Sequence, residues 1–505
     1  MSVALPRSEA RVSSMPLVLD SSPVPLSEVV AALARCELRG DGSVAVADAA
    51  FSSEEAGPAA LFFCVPGSHT DGHRFAGDAV ERGASAIVVQ RWLDGIDVPQ
   101  VLVPSVREAM GPMSAVVFGR PSAAMQMVGV TGTNGKTTTT YLLESIFRAN
   151  GWVPGVIGTT GARIAGDPLP LARTTPEASD LQRLLATMLD RGVQAVTMEV
   201  SSHALDQHRV DGVRYGAAVF TNLSQDHLDY HPDMEAYFAA KSRLFTPELA
   251  ERAAIATEDG WGIRLAAACE IPFITFGEGP HADLRATDVV ADASGVSLRV
   301  GHLLIRSPLR GRFNMMNCLA ALAAARTLGI PDAVSVQGIE SLAGVPGRVE
   351  PVDAGQRYLV MVDYAHTPDS IDNVLRAARP LTSGRLIVVF GCGGDRDAGK
   401  RPLMGRAATS LADLSVLTSD NPRSEDPMAV IAEIEPGARE GGGAWVVEAD
   451  RRLAIRLAVR EAQPGDVVVI AGKGHESYQE LADRTIDFDD RIVAAEEIRA
   501  AREAP

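Results

Sequence analysis

The residues from Gly129 to Thr138 read Gly-Val-Thr-Gly-Thr-Asn-Gly-Lys-Thr-Thr and carry the clearest chemical signal in the chain. A glycine-rich turn of this kind points several backbone N–H groups and the positive end of a helix at one place, which suits the phosphates of a nucleotide. Lys136 would reach the β- and γ-phosphates, and the hydroxyl of Thr137 would hold Mg²⁺. In the common phosphate-loop pattern the first glycine would stand at the position of Val130, whereas in this chain it is Gly129, one residue earlier. The motif predicts ATP or GTP binding.

Acidic and imidazole side chains follow two other strand-like runs. Glu199 lies near the end of the apolar run 193–200, and Asp226 and His227 follow the run 217–221. The carboxyl ends of parallel strands meet at one edge of a sheet, where ligands gather. We therefore expect these groups to face the nucleotide and to bind Mg²⁺ directly or to support its ligands.

Lysine is rare in this sequence, with four residues at positions 136, 241, 400 and 473, so arginine supplies nearly all the positive charge. A lysine retained in such a chain is expected where a guanidinium cannot replace the ammonium. Lys241 lies in an alanine-rich helical pattern that we expect to begin at Pro232. Burial would lower its pKa, and the neutral amine can react with CO₂ to give a carbamate, an oxygen ligand for a metal. A simple ion pair remains the alternative.

The last third of the chain repeats one arrangement, in which an apolar run ends in a polar loop. Four such loops begin near Asp363, Gly391, Ser419 and Ala471. They predict a cleft at the carboxyl edge of a doubly wound sheet. Since no Gly-x-Gly-x-x-Gly motif opens this region, a dinucleotide is not expected. Arg396 and Arg423 with Glu476 would suit a ligand that carries both carboxylates and an ammonium.

The elements that position these groups alternate between strand and helix patterns, which predicts an α/β protein with mainly parallel sheets. A chain of 505 residues is expected to form about three domains. We place a small α/β domain at 1–104, a larger α/β domain with the phosphate loop at 105–346, and a Rossmann-like α/β domain at 347–505.

The composition of the chain limits the functional classes to which the protein can belong. The net charge is −17 without a basic stripe, which disfavours nucleic-acid binding. Five cysteines without metal-ligand spacing are expected to be reduced thiols. No apolar run is long enough to span a bilayer and no signal peptide opens the chain, so we expect a cytoplasmic monomer without a membrane partner.

Two local patterns leave alternatives open. Asn314 and Asn317, three apart near a predicted helix start, suit either helix caps, which are commoner, or contacts to a purine edge. The polar loop 67–73, flanked by glycines, suits either a ligand loop or a solvated connection.

With these motifs in view, the chain resembles the Mur ligases, the ATP-dependent amide-bond ligases of peptidoglycan assembly. The resemblance rests on the phosphate loop and on four more specific stretches, which are 199–203, 221–231, 393–397 and 472–476. The segment Asp420-Asn421-Pro422-Arg423 looks like the signature of members that add meso-diaminopimelate to UDP-N-acetylmuramoyl-L-Ala-D-Glu. A second carboxylate on the acceptor would give Arg423 a partner, whereas a lysine ammonium would be repelled.

The resemblance implies an acyl-phosphate mechanism with ATP and Mg²⁺, in peptidoglycan synthesis and thus in cell wall biogenesis, cell shape and cell division. It implies a uridine-binding role for the first domain, ATP binding by the second and amino-acid binding by the third. The implied catalytic residues are Lys136, Lys241, His227 and Glu199, and the implied metal ligands are Thr137, Glu199, His227 and Lys241 as its carbamate, N6-carboxylysine.

The resemblance also implies three sets of binding residues. ATP would be held by Gly132, Thr133, Asn134, Gly135, Lys136, Thr137, Thr138, Asn317, Arg348, Asp363 and His366. The UDP-linked substrate would be held by Ser53, Ser68, His69, Thr70, Thr174, Thr175, Ser201, Gln207 and Arg209. The incoming amino acid would be held by Arg396, Asp420, Asn421, Pro422, Arg423, Gly472 and Glu476.

One position departs from the family pattern. The uridine pocket normally contains Asp-Ser-Arg, and this chain has Ser52-Ser53-Glu54 instead. Only the serine is retained, as Ser53. The alternatives within the class are a lysine-adding or other Mur-type ligase, including the folylpolyglutamate and cyanophycin types. From another class, a P-loop regulatory NTPase would need no amino-acid site.

Overall fold

The structure is a computed structural model that describes residues 22–67, 70–292 and 294–503. Ser68 and His69, two of the predicted uridine-pocket residues, lie outside these ranges. The described residues form three main β-sheets with helices packed against them, which confirms the predicted α/β class. Each sheet falls within one of the predicted domains, whose boundaries at 104/105 and 346/347 remain predictions.

The first sheet has five strands in the order β2-β7-β6-β5-β4, all parallel except the β2–β7 pair. Its central strands β5 and β6 are fully buried, as expected for apolar runs covered on both faces. A short β1–β3 pair lies beside it. The elements are β1 (Val24–Pro25), α1 (Leu26–Val30), β2 (Glu37–Arg39), β3 (Ala45–Val46), β4 (Asp48–Ala50), β5 (Ala60–Phe63), α2 (Ala76–Glu81), β6 (Ala86–Val89), β7 (Gln100–Leu102) and α3 (Val106–Val117).

The second sheet has eleven strands in the order β11-β10-β9-β12-β8-β13-β14-β15-β16-β17-β18. The strands from β9 to β16 in that order are parallel, and an antiparallel pair closes each edge. Its strands are β8 (Gln126–Thr131), β9 (Pro154–Gly158), β10 (Gly161–Ile164), β11 (Asp167–Leu169), β12 (Ala195–Glu199), β13 (Ala217–Phe220), β14 (Ala253–Ala256), β15 (Phe273–Gly277), β16 (Leu284–Asp292), β17 (Gly295–Val300) and β18 (Leu303–Ser307). Its helices are α4 (Lys136–Ala149), α5 (Ala178–Asp190), α6 (Ser202–Asp206), α7 (Met234–Ser242), α8 (Gly260–Ala268), α9 (Asn314–Thr327) and α10 (Asp332–Ser341).

The third sheet has six strands in the order β19-β20-β24-β21-β22-β23, parallel except for β19. A separate β25–β26 hairpin follows it. Its elements are β19 (Glu350–Pro351), β20 (Leu359–Asp363), α11 (Pro368–Ala378), β21 (Leu386–Phe390), α12 (Lys400–Leu411), β22 (Leu414–Leu417), α13 (Pro427–Gly441), β23 (Ala444–Val447), α14 (Arg451–Glu461), β24 (Val467–Ala471), β25 (Tyr478–Glu480), β26 (Thr485–Asp487) and α15 (Asp490–Glu503).

One expectation about a helix start is wrong, and one of two open alternatives is excluded. Helix α7 begins at Met234, not at Pro232, because the Asp233 side chain accepts a hydrogen bond from the Ala236 N–H and caps the helix. Asn314 and Asn317 are not caps of α9, since Phe313 occupies the cap position without a side-chain bond. Their side chains are buried and bond each other, with Asn317 Nδ2 donating to Asn314 Oδ1.

The buried cores hold the strand ends in place. Apolar side chains on the two faces of the second sheet form separate clusters, one of which contains Leu142, Ile146 and Phe147 of α4. Packing of α4 onto the sheet fixes the direction in which its first turn points. Among the described residues, no helix is both long enough and apolar enough to cross a membrane.

Candidate active site

The phosphate loop lies between β8 and α4, as predicted. Gly132 and Gly135 have φ values of +145° and +87°, a conformation that favours glycine. A Cβ at Gly135 would collide with the Asn317 side chain. Lys136 Nζ donates to the Gly132 and Thr133 carbonyl oxygens at 2.9 and 2.8 Å. The lysine is therefore folded over the loop, with its pKa lowered by burial.

Thr137, in the first turn of α4, lies beside Glu199, the last residue of β12. Thr137 Oγ1 donates to Glu199 Oε1 at 3.0 Å. The backbone N–H and the hydroxyl of Thr159 also donate to this carboxylate. Glu199 is buried, so these three donors satisfy its oxygens and fix its orientation.

Lys241 is 1% exposed and reaches the same loop from α7. Its Nζ donates to the Gly132 carbonyl oxygen at 3.0 Å and lies 4.5 Å from the centre of the Tyr237 ring. Burial, followed by the positive charge of Lys136, lowers the pKa of Lys241 well below its usual value. No ion pair to Lys241 is found in the described part of the chain, so the alternative reading of a simple ion pair has no support there.

Asp226 is a second buried carboxylate in this region. Its side chain lies 3.5 Å from His227 Nε2, 4.0 Å from His366 Nε2 and 3.7 Å from Lys400 Nζ. Burial raises its pKa, but the interactions of Asp226 with His227, Lys400 and His366, which include a hydrogen bond from the His227 N–H, more than offset this effect and lower it overall. Burial lowers the pKa of His227 to about 3 and that of His366 to about 4, so both imidazoles are neutral and His227 can act as a metal ligand.

The donor set fits magnesium better than a transition metal. Across the described residues, no group of three or more His, Cys, Asp and Glu side chains has the arrangement of a metal centre. Mg²⁺ needs fewer protein ligands than such a centre provides, because it is commonly bound by one or two carboxylates together with substrate phosphates and water. The adjoining Thr137 hydroxyl and Glu199 carboxylate supply such oxygens beside the phosphate loop.

Four of the predicted ATP-binding residues, Asn317, Arg348, Asp363 and His366, lie outside the phosphate loop. Asn317 lies against Gly135, and Arg348 donates to Thr137 Oγ1 at 2.8 Å. Asp363 is buried and accepts from the Val349 and Ala365 N–H groups, and its pKa is raised by burial. His366 Nε2 lies 4.0 Å from Asp226 Oδ2. Asn317 and Arg348 therefore touch the phosphate loop directly, whereas Asp363 holds the segment that follows Arg348.

Four of the residues predicted to hold the UDP-linked substrate form one cluster, which we call the muramoyl-peptide cluster. Thr175 Oγ1 donates to the Glu199 carbonyl and accepts from the Ser201 N–H. Arg209 donates to the Thr175 carbonyl and to Gln207 Oε1. Thr174 adjoins this cluster, with its hydroxyl 3.4 Å from that of Thr159. The cluster therefore lies next to the acid that adjoins the phosphate loop.

The described part of the uridine pocket is small. Ser53 is half-buried in the turn after β4, and the Thr70 carbonyl accepts from the Gly67 N–H at 2.8 Å. Both residues lie in the part of the chain that forms the first sheet, which we call the first unit; the parts that form the second and third sheets are the second and third units.

The predicted amino-acid residues lie at the carboxyl ends of β22 and β24. Asn421 Nδ2 donates to Glu476 Oε2 at 2.9 Å, and buried Lys473 donates to both Asn421 Oδ1 and Glu476 Oε2 at 3.1 Å. Gly472 has a φ of +118°, and a Cβ there would collide with Asp420. Burial raises the pKa of Glu476, against the lowering effect of Lys473.

The two predicted arginines differ in their surroundings. Arg396 is exposed and donates to the Asp395 carbonyl. Arg423 follows Pro422, has a φ of +53°, and donates to the Gly394 carbonyl at 2.7 Å. It also forms an ion pair with Glu480, Nε to Oε2, at 2.9 Å. A left-handed arginine is uncommon and costs backbone strain, which is typical of functional sites.

Contacts between the second and third units bring their sites together. Asn134 Nδ2 donates to Asp369 Oδ2 at 2.7 Å, and His475 Nε2 lies 3.1 Å from the Thr159 carbonyl oxygen. The Lys400–Asp226 ion pair crosses the same gap. Sequence reasoning missed Asp369, Thr159 and Glu480. For Thr159 a signal existed, since it directly follows an apolar run that forms β9.

These features define a nucleotide-binding α/β enzyme whose phosphate loop contacts the third unit through the hydrogen bond from Asn134 to Asp369. Three family models match the chain, namely the "Mur ligase family, catalytic domain" at residues 51–116, the "Mur ligase middle domain" at 130–325 and the "Mur ligase, glutamate ligase domain" at 347–474. The chain belongs to the Mur ligase family.

Curated relatives are similar over most of the chain. A UDP-N-acetylmuramoyl-L-alanyl-D-glutamate–2,6-diaminopimelate ligase of Geobacillus thermodenitrificans is 47% identical over 457 residues, which cover 88% of this chain and 93% of the relative. The protein of the same name from Solibacter usitatus is 46% identical over 469 residues, which cover 89% and 93%.

Solved structures show the same fold. A structure of a ligase of that name matches with a TM-score of 0.68 and 33% identity, covering 96% of this chain and 100% of the other. A MurF ligase from Thermotoga maritima in complex with ADP matches with a TM-score of 0.60 over 90% of this chain and 96% of the other. Its 18% identity supports the fold alone.

Proposed function

We propose that this protein is an ATP-dependent amide ligase that adds meso-diaminopimelate to UDP-N-acetylmuramoyl-L-Ala-D-Glu, in peptidoglycan precursor synthesis. The observation that carries the proposal is the position of Arg423, held at the carboxyl edge of the third sheet beside Asn421 and Glu476. This cluster offers cationic and anionic partners for an acceptor that carries both kinds of group. Relatives at 47% and 46% identity bear the corresponding name.

The first chemical step is activation of a carboxylate, which otherwise resists attack by an amine. The γ-carboxyl of the D-Glu residue takes the γ-phosphoryl group of ATP, giving an acyl phosphate and ADP. Lys136 neutralises charge on the transferred group, and Thr137 and Glu199 would hold the Mg²⁺ that supplies further neutralisation when bound. The acceptor amine then attacks the acyl carbon, phosphate leaves and the amide forms.

Lys241 would supply a further oxygen ligand as its carbamate. Its burial and the nearby charge of Lys136 favour the neutral amine, the form that reacts with CO₂. The positively charged form would add repulsion beside Lys136, whereas the carbamate carries a negative charge that both Lys136 and a metal would stabilise. The modified side chain, with His227, would then complete the metal site.

The two halves of the reaction belong to different units. The muramoyl-peptide cluster adjoins Glu199, and the acceptor cluster lies at the ends of β22 and β24. Contacts such as Asn134–Asp369 and His475–Thr159 would hold the two edges together while the amine attacks. The first unit, with Ser53 and Thr70 and with Ser68 and His69, would bind the uridine end.

Phosphate release from ATP tests the proposal. The purified protein is given UDP-N-acetylmuramoyl-L-Ala-D-Glu with meso-diaminopimelate or L-lysine as acceptor. Release with diaminopimelate alone is expected. Release with lysine instead would move the protein to a lysine-adding ligase, and release that needs no acceptor would identify a regulatory NTPase. Sedimentation of the same preparation tests the expected monomer, and cell fractionation tests the expected cytoplasmic location.

A further inference from the structure

Glu480 lies beside the acceptor site, yet neither its sequence pattern nor the family resemblance gave it a role. It is the last residue of β25, the strand that runs along the Asp420–Arg423 loop. Its N–H donates to Asn421 Oδ1 at 3.0 Å, and its carbonyl accepts from the Arg423 N–H at 3.2 Å. Next to it, Gln479 Nε2 donates to the Asp420 carbonyl at 2.6 Å. The β25–β26 hairpin therefore fixes the position of Glu480 relative to Arg423.

The side chains of Glu480 and Arg423 form a half-buried pair of opposite charges. Arg423 Nε lies 2.9 Å from Glu480 Oε2, and the two side chains are 26% and 38% exposed. A guanidinium has five N–H donors, and this one also donates to the Gly394 carbonyl through Nη1. No hydrogen bond of Nη2 is found within the described ranges, so we expect its two donors to be available to a ligand carboxylate while Glu480 stays in place.

Glu476, the other carboxylate near this point, has several partners within the chain. Lys473 and Asn421 both donate to its Oε2, and the Tyr364 hydroxyl lies 3.4 Å from its Oε1. Both carboxylates lie close enough to the Tyr478 phenol to help burial raise its pKa to about 12. Glu480 and Glu476 therefore both lie near Tyr478. Glu476 is bound by the buried Lys473 and by the Asn421 amide, whereas the side chain of Glu480 pairs with Arg423.

We propose that Glu480 is a specificity-determining residue of the acceptor site, and that it binds the ammonium at the far end of the acceptor while Arg423 binds the carboxylate on the same carbon. The inference rests on the proposed function. A positive and a negative side chain 2.9 Å apart are complementary to a carbon atom that carries both an ammonium and a carboxylate. Acceptors that carry one of the two groups would satisfy one half of the pair and leave the other half unmatched.

The test compares two acceptors that differ by one ammonium group. meso-Diaminopimelate carries both groups at its far end, and 2-aminopimelate carries the carboxylate alone. In the variant Glu480→Gln, the KM for meso-diaminopimelate is expected to rise about tenfold, the loss of one charge-assisted contact. The KM for 2-aminopimelate is expected to change less than twofold, and kcat should be unchanged for both. The variant Glu480→Ala should give the same pattern.

Glu496→Gln is the matched control, because Glu496 is an exposed carboxylate of the same unit that pairs with Arg452 at 2.8 Å, on α14 and α15. It should alter neither KM. An equal rise in KM for both acceptors would show that Glu480 merely orients Arg423. A fall in KM for both would show that Glu480 competes with the ligand. An unchanged KM for both would show that Glu480 has no role in binding the acceptor. Each of these results overturns the inference. The proposed function fails separately, if the unaltered protein ligates neither acceptor.

Discussion

Lys136 and Lys241 donate to the same atom, the carbonyl oxygen of Gly132, at 2.9 and 3.0 Å. One comes from the first turn of α4 and the other from α7, and Lys241 is 1% exposed. Two ammonium groups on one oxygen repel each other in a medium of low dielectric constant. This geometry favours the neutral form of the buried lysine, which is the form that the proposed carbamate requires.

Replacing Lys241 by Ala should lower kcat by about 100-fold or more, because a ligand of the metal and a negative charge beside the transferred phosphoryl group would be lost. Millimolar formate, acetate or bicarbonate should restore part of the rate by filling the space with a carboxylate. Phosphate release measured against the concentration of each acid tests this. A rate that none of these acids raises would argue against the carbamate and for a purely cationic lysine.

Replacing Arg423 by Ala should raise the KM for diaminopimelate by about 10- to 100-fold, since a charge-assisted contact contributes about 1.5–3 kcal/mol. The KM for ATP should stay within twofold, because Arg423 lies in the loop after β22 and its partners Gly394 and Glu480 belong to the third unit. Initial rates with each substrate varied in turn give both constants. Arg439→Ala is the control, since Arg439 pairs with Glu435 within α13 and is 63% exposed. Equal effects on both KM values would contradict the assignment.

Asp369→Ala should weaken the association of the second and third units. Asp369 accepts from Asn134 of the phosphate loop at 2.7 Å, so its loss should reduce kcat/KM for ATP about tenfold and shift small-angle scattering towards a larger radius of gyration. Asp372→Ala on the same helix is the control, because Asp372 pairs with Arg376 one turn along α11. If the two variants behave alike, Asp369 has no role in holding the units together.

Protonation of His475, which contacts Thr159 across the boundary between the second and third units, should make the stability of the protein depend on pH. Burial, with the charge of Arg348, lowers the pKa of His475 to about 4, below its value of about 6.5 in an unfolded chain. The unfolded state therefore binds more protons than the folded state between these values, so this residue's contribution to stability is complete above pH 6.5 and is lost as pH falls towards 4. The effect is at most about 1.4 kcal/mol per pH unit.

Melting temperatures of the wild type and His475→Gln at pH 7.5, 6, 5 and 4.5 test this coupling. The wild type should lose more stability than the variant as the pH is lowered, and the difference should develop below pH 6.5. Parallel curves would show that His475 titrates alike in the folded and unfolded chain.

Sequence patterns predicted the elements that depend on neighbours along the chain. The strand–turn–helix around Lys136 was recognisable because glycine spacing and apolar periodicity are both local. The burial of Lys241 was foreseen from its alanine-rich helix, whereas the helix start was misplaced because the Asp233 side chain, not the proline, satisfies the first turn. Short-range patterns thus predicted the type of each element better than its first residue.

Contacts between distant segments could not be predicted in the same way. Asn134 and Asp369 are 235 positions apart, and nothing near Asp369 distinguishes it from other acids on amphipathic helices. Glu480 likewise reaches Arg423 only because the β25–β26 hairpin folds back along the loop. Such pairs depend on how the units and hairpins pack, which no periodicity records.

Loss of either partner of the Arg451–Asp490 pair should strongly destabilise the third unit. Both side chains are fully buried, with Arg451 Nη2 2.6 Å from Asp490 Oδ2. Arg451 also donates to the carbonyls of Ser419 and Ala471, which directly precede Asp420 and Gly472 of the acceptor site. Removing one partner leaves a buried charge unpaired, so Asp490→Asn and Arg451→Met should each destabilise the fold by about 3–5 kcal/mol.

The double variant Arg451→Met/Asp490→Asn separates the charge from the hydrogen bonds. It removes both charges, so it should be more stable than the sum of the single losses allows, yet it still leaves the Ser419 and Ala471 carbonyls without their donor. Melting temperatures of the four proteins, with amide exchange at β22 and β24, give the coupling. Additive losses would mean that the two residues act independently. A double variant as stable as the wild type would mean that the carbonyl contacts contribute nothing to the position of Asp420 and Gly472.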